Sequence, residues 1–133
     1  RGDFSKIPNG MPGVENRMDL LHQAVLDGHI SRRRWIDIAC AAPARMFGLY
    51  GKKGTIAPGA DADVVIYDPA AEQVMSAETH HMNVDYSAYE GKRVTGRVET
   101  VLSRGELVID QREFVGRAGH GAYLARGISQ YLG

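Results

Sequence analysis

Gly54-Thr55-Ile56-Ala57-Pro58-Gly59-Ala60-Asp61-Ala62-Asp63-Val64-Val65-Ile66-Tyr67-Asp68-Pro69 reads as strand, turn, strand, and it divides the chain. Pro58 presets φ for the second position of a tight turn, and Gly59 can take the positive φ that a type II turn requires next. Val64, Val65, Ile66 and Tyr67 form a β-branched and aromatic run. Pro69 is expected to stop it, because proline cannot donate to a ladder. Asp61 and Asp63 share a face of an extended segment, so paired carboxylate chemistry is conceivable. Carboxylates that end a turn by accepting backbone N–H groups are the favoured reading.

Upstream the pattern is helical. Val14, Met18, Leu21 and Val25 fall at the spacing of one helix face, and Gly28 is placed to close that helix in a left-handed turn. Ser31 is a plausible N-cap for a second helix with Trp35, Ile38, Ala39 and Ala42 on one stripe. Pro43 must kink or restart it, which predicts a short helix from Pro43 to Phe47 closed by Gly48. Arg32-Arg33-Arg34 reads as a solvated face rather than a phosphate site, and Cys40 among alanines as a small buried residue. Residues 1–13 carry Pro8, Pro12 and the Asn9-Gly10 turn signal, so regular structure is not expected there. Taken by itself, Asn9 is a turn residue tolerant of left-handed φ. The opening Arg-Gly-Asp is a tripeptide that recurs by chance.

Downstream, Gln73 to Ser76 is a short strand candidate, and Glu78 to Arg93 a long loop. His80-His81 lies in that loop; adjacent side chains diverge and no further ligands stand at suitable spacing, so a metal site is not expected there. Val94 to Val115 reads as consecutive strands, turning at Arg104-Gly105 and again between Asp110 and Glu113. Gly119-His120-Gly121 imitates a dinucleotide loop but lacks its third glycine, since position 124 is leucine. The tail is expected to be a flexible arm leading to a short helix with Tyr123, Leu124, Ile128 and Leu132.

The chain has 133 residues and 44% hydrophobic content, enough for a domain with a core. Sixteen basic and sixteen acidic residues cancel, leaving no global field toward nucleic acid or anionic lipid. The single cysteine cannot form an internal disulfide, which fits a reducing, cytoplasmic setting. No apolar run approaches the roughly 20 residues that span a bilayer. The polar opening at Arg1 suggests a piece of something longer.

These residues name no reaction, but their order resembles a family. Ile7-Pro8-Asn9-Gly10 with Gly13-Val14-Glu15 and Arg17 is similar to the loop after the last barrel strand in dihydropyrimidinases and hydantoinases. Pro43-Ala44-Arg45, Phe47-Gly48-Leu49, Lys53-Gly54-Thr55-Ile56 and Asp61-Ala62-Asp63 resemble the wider cyclic-amide amidohydrolases. Tyr89-Glu90-Gly91, Val94-Thr95-Gly96, Arg104-Gly105 and Gly119-His120-Gly121 with Leu124 and Arg126 follow the narrower pattern. The resemblance covers nearly the whole chain.

It implies an α+β chain made of three parts. Residues 1–52 would be the last loop and helices of a (β/α)8 barrel, 53–115 the antiparallel strands of a small β-sandwich domain, and 116–133 a C-terminal arm. The implied activity is reversible opening of dihydropyrimidines and 5-substituted hydantoins to N-carbamoyl amino acids. Two zinc ions bridged by a carboxylated lysine would support it, with all ligands upstream of this segment. The chain would supply no catalytic residue and no metal ligand. Asn9 alone carries over as a substrate-binding position, through its backbone at the mouth of the barrel. The implied partners are a small cyclic amide and further copies of the chain, as a tetramer joined through the arm, with no nucleic acid and no membrane. The alternatives are a non-catalytic homologue such as the collapsin response mediator proteins, an allantoinase or dihydroorotase relative, or a β-rich interaction module working alone.

Overall fold

The computed structural model describes residues 2–7 and 10–132. Three helices precede a four-stranded antiparallel sheet, giving an α+β arrangement. The first helix, α1, runs Arg17–Leu26, and Gly28 follows it at φ 77°, the left-handed stop expected of it. Ser31 caps α2, Arg32–Ile36, by accepting the Arg34 N–H at 3.1 Å.

Pro43 was expected to kink or restart the second helix, and it restarts it, standing in the first turn of a separate short helix. A π turn over Asp37–Ala41 joins α2 to α3, Ala42–Met46, with the backbone helical across both junctions. The Ala42 N–H bonds back to the Asp37 carbonyl. The widened turn makes room for a ring that lacks an N–H and would otherwise crowd the preceding carbonyls. Gly48 then closes α3 at φ 66°.

The type II turn at Pro58-Gly59 is present, with Ala60 N–H on Ala57 C=O at 3.0 Å and Gly59 at φ 87°. The strand expected before it is not. Gly54 at φ 77° presses its backbone on α3, where an added Cβ would lie 2.5 Å from Ala44 Cβ and 2.7 Å from the Cys40 carbonyl. That segment therefore packs on a helix, and one isolated bridge, Tyr50 to Lys53, is its only ladder contact.

Pro69 does not end its strand either. Strand β1 is Val64–Val74, absorbing Gln73 and Val74 as well, and it pairs with β2, Arg93–Ser103. The register slips between Asp68 and Glu72, so Pro69 falls in a bulge on the strand at the sheet's edge. Within the bulge the Ala70 N–H turns to Asp68 Oδ1 at 2.9 Å. Strands β3, Glu106–Asp110, and β4, Glu113–Phe114, follow through two tight turns. Their central pairs all have positive φ: Arg104 and Gly105, then Gln111 and Arg112. This is the turn twist that matches flanking strands.

Residues 76–92 form the expected loop, zipped at its base by Met75 N–H on Lys92 C=O and Gly91 N–H on Met75 C=O, both 2.9 Å. The tail contains no helix among its described residues. It runs over the end of α3, where Gly127 N–H meets Gly48 C=O and Gln130 N–H meets Arg45 C=O, each at 3.0 Å. Those bonds hold the tail extended. The stripe expected to drive a helix is largely bare, with Tyr123, Ile128 and Leu132 exposed.

The sheet receives α1 against β2. Among the described residues Trp35, Ala44, Met75 and Val94 are the buried apolar ones, and His22 is the most deeply buried large side chain. The two apolar helix stripes read from the sequence, with Val14 on the first and Trp35 on the second, fare differently. Val14 is exposed, whereas Trp35 is covered by His22 and Tyr67.

Candidate functional site

Asn9 lies outside the described residues, so the site is built from what flanks it. On one side a single 3-10 turn, Phe4–Lys6, is capped by Asp3, which accepts from the Ser5 N–H at 3.0 Å and the Ser5 hydroxyl at 2.8 Å. These two bonds hold the Asp3 carboxyl below its usual range.

On the other side residues 10–16 have no regular structure, and the 76–92 loop fixes their course. Gly13 lies on the Tyr89 ring, close enough that a Cβ would be 3.3 Å from Tyr89 Cε2. Two residues on, Glu15 grips His81. One carboxylate oxygen accepts the His81 backbone N–H at 2.7 Å, and the other lies 2.8 Å from Nδ1. The far nitrogen, Nε2, lies 3.1 Å from the Arg112 carbonyl in the β3–β4 turn. The Glu15 carboxylate holds His81 above the ordinary histidine range, against a smaller effect of burial. Its neighbour His80 instead accepts the Met82 N–H on Nδ1 at 3.1 Å. The two histidines therefore have separate partners.

A second cluster lies under α1. His22 donates from Nδ1 to the Thr95 carbonyl at 2.8 Å, and Gln23 accepts the Thr95 N–H at 3.0 Å. Gln73 donates to Asp19 at 2.9 Å and to the Gly96 carbonyl at 2.7 Å. The rings of His22, Trp35 and Tyr67 meet with centroids 5.1 to 5.3 Å apart. Burial raises both the Asp19 carboxyl and the Tyr67 phenol, and the Asp19 charge raises the phenol further. Because these side chains bond mainly to backbone and to one another, the cluster holds α1 on the sheet.

Lys53 bridges Asp61, at 2.9 Å, and Asp63, which also accepts the Arg104 N–H at 2.9 Å. Acceptance of backbone N–H is thus right for Asp63, while the lysine between the carboxylates had no signal in their spacing. Arg34 and Arg45 of the basic stretch and its neighbourhood pair with Asp37 at 2.7 and 3.4 Å. Cys40 is half-buried, its thiol raised by that burial.

Among the described residues no three His, Cys, Asp or Glu side chains converge as a metal site. The described residues do not form a zinc centre. Among them, too, no helix is long and apolar enough to cross a membrane.

The amidohydrolase family profile matches residues 11–108. The chain belongs to the amidohydrolase family. Within it, a D-hydantoinase of Streptomyces coelicolor is 81% identical over 132 residues, covering 99% of this chain and 28% of that protein. A D-hydantoinase of Geobacillus stearothermophilus is 53% identical over 95% of this chain and 27% of its own length. Among solved structures, one of a D-hydantoinase superposes with TM-score 0.91 at 43% identity, covering 98% of this chain and 28% of that one. A dihydropyrimidinase from Brevibacillus agri gives 0.90 at 48% identity, over 96% and 28%. This amidohydrolase segment therefore spans less than a third of the relatives it matches. The Glu15–His81 pair and the His22 junction were missed in the sequence. For His22 a signal existed, since it follows Met18 by four residues on the apolar face of α1; for Glu15 and His81, far apart in sequence, there was none.

Proposed function

We propose that this chain is the C-terminal portion of a cyclic amidohydrolase of the D-hydantoinase or dihydropyrimidinase type. The observation that carries the reading is 81% identity with a D-hydantoinase across 132 residues, with no part of the chain left out of the likeness beyond a single residue's worth. In this reading residues 1–52 complete a (β/α)8 barrel, 53–115 belong to a β-sandwich, and 116–133 form an arm used between subunits of a tetramer. The reaction adds water to a ring carbonyl and breaks the adjacent C–N bond, turning a hydantoin or dihydropyrimidine into an N-carbamoyl amino acid. The two zinc ions that such chemistry uses would be held by residues outside this segment.

The segment's own contribution is positional. Asn9 presents its backbone to the ring's amide edge, with Pro8 and Gly10 setting the path. Asn9→Ala relaxes the turn while keeping those groups, whereas Asn9→Pro removes an N–H and fixes φ near −65°. In the full-length enzyme kcat/KM on dihydrouracil or a 5-substituted hydantoin is expected to fall about tenfold for the first and up to about a hundredfold for the second. Zinc content is expected to stay unchanged. Full activity in both variants would remove Asn9 from the site, and loss of zinc would make the loop a support of the metal centre.

A further inference from the structure

We propose that His81 is a positioning residue for the substrate loop: as an imidazolium it ties Glu15, where the loop enters α1, to the β3–β4 turn. The inference rests on the proposed place of Asn9 at the substrate, just ahead of residues 10–16.

The geometry selects the charged ring. Nδ1 faces a Glu15 carboxylate oxygen at 2.8 Å and Nε2 faces the Arg112 carbonyl at 3.1 Å. Neither oxygen can donate, and a neutral imidazole has one N–H only. Either tautomer therefore sets one lone pair against another, and the doubly protonated ring alone satisfies both contacts. The surrounding charges agree: Glu15 from the segment before α1 and Glu113 from β4 both favour the cation. The His81 backbone N–H adds a third bond to the same carboxylate. With Tyr89 against Gly13, the 76–92 loop grips residues 10–16 at two points two residues apart. That stretch has no helix or strand of its own to fix its path.

The sign follows from the raised pKa. A histidine lifted above its ordinary value of 6.5 holds its contacts fully below that value and releases them as pH rises through the higher, folded-state one. Residues 10–16 are thus clamped at the acid side and released at the alkaline side.

The test uses the full-length enzyme and a 5-substituted hydantoin, with kcat and KM measured separately across about pH 6 to 9. The His81 imidazole is titrated by NMR in the same protein. In the wild type KM is expected to rise about twofold to fivefold as His81 deprotonates, the scale of a half-exposed ion pair, with kcat little changed. His81→Gln is expected to show the high KM at every pH, and His81→Lys, which keeps a cation opposite Glu15, to restore the low one. Glu15→Gln is expected to move the rise to lower pH. A wild-type KM profile reproduced by His81→Gln, or a His81 that titrates below 6.5, overturns the inference alone. An inactive wild type on both hydantoin and dihydrouracil overturns the functional reading and this inference with it.

Discussion

Gly96, at the helix–sheet junction, has no room for a side chain. Its φ is 97°, and a Cβ built on it would lie 2.4 Å from His22 Nδ1 and 2.5 Å from the Tyr67 hydroxyl. Neither ring can swing aside, since each is packed on the other and on Trp35. Gly96→Ala combines a disfavoured backbone region with overpacking, and about 2 to 5 kcal/mol of stability is expected to be lost. Gly91 separates the two causes. It has φ 75° with open space where its Cβ would go, so Gly91→Ala carries the backbone cost alone, about 1 to 2 kcal/mol. Chemical denaturation of the two variants in the full-length protein checks this, and equal losses would mean that the rings yield. From the sequence, Gly96 was visible only as part of a family pattern. Its steric role depends on His22, a contact between distant parts of the sequence that no local rule reaches.

Among the elements, those whose ends are fixed by local chemistry could be read directly: Ser31 as a cap, Gly28 and Gly48 as stops, and Pro58-Gly59 as a turn. Those that failed were decided by neighbours. Pro69 would have ended a central strand, but β1 lies at the sheet's edge, where a bulge with an Asp68 side-chain bond replaces the lost ladder contacts. The tail helix failed because backbone bonds to Arg45 and Gly48 hold that segment extended. The β3–β4 turn shows an element working against its own composition. Gln111 and Arg112 have φ 47° and 73°, a pair of positive values for which Asn-Gly is preferred. Replacing them by Asn and Gly relieves that strain and is expected to stabilise the fold by about 1 kcal/mol, seen as a higher Tm of the full-length protein. The His81 contact uses the Arg112 carbonyl and survives the change. An unchanged Tm would mean that contacts of the two lost side chains offset the relief.

At the scale of the whole molecule the core is small and the apolar surface large. Trp35, Ala44, Met75 and Val94 are the buried apolar side chains among the described residues, while Phe4, Val14, Ile56, Tyr123, Ile128 and Leu132 are each at least three-quarters exposed. They recur in the N-terminal segment, in the connection before β1 and in the tail, so no single face contains them. An isolated chain of this kind lowers its free energy by covering such patches with other copies of itself. The half-exposed Ile36, Met46 and Phe47 along the α2–α3 helix add to that surface. The 133-residue chain is therefore expected to associate, with an average mass by light scattering that exceeds the monomer's and climbs with concentration. It is also expected to melt over a broad range rather than in one sharp transition, because few of its side chains are fully packed. Co-expression with the remaining portion of a full-length hydantoinase is expected to suppress self-association, since the same patches would then be covered in their intended way. A dilute, compact monomer with a single cooperative transition would show that this sheet and its helices suffice as a unit, and would remove the reading of the chain as part of a larger barrel enzyme.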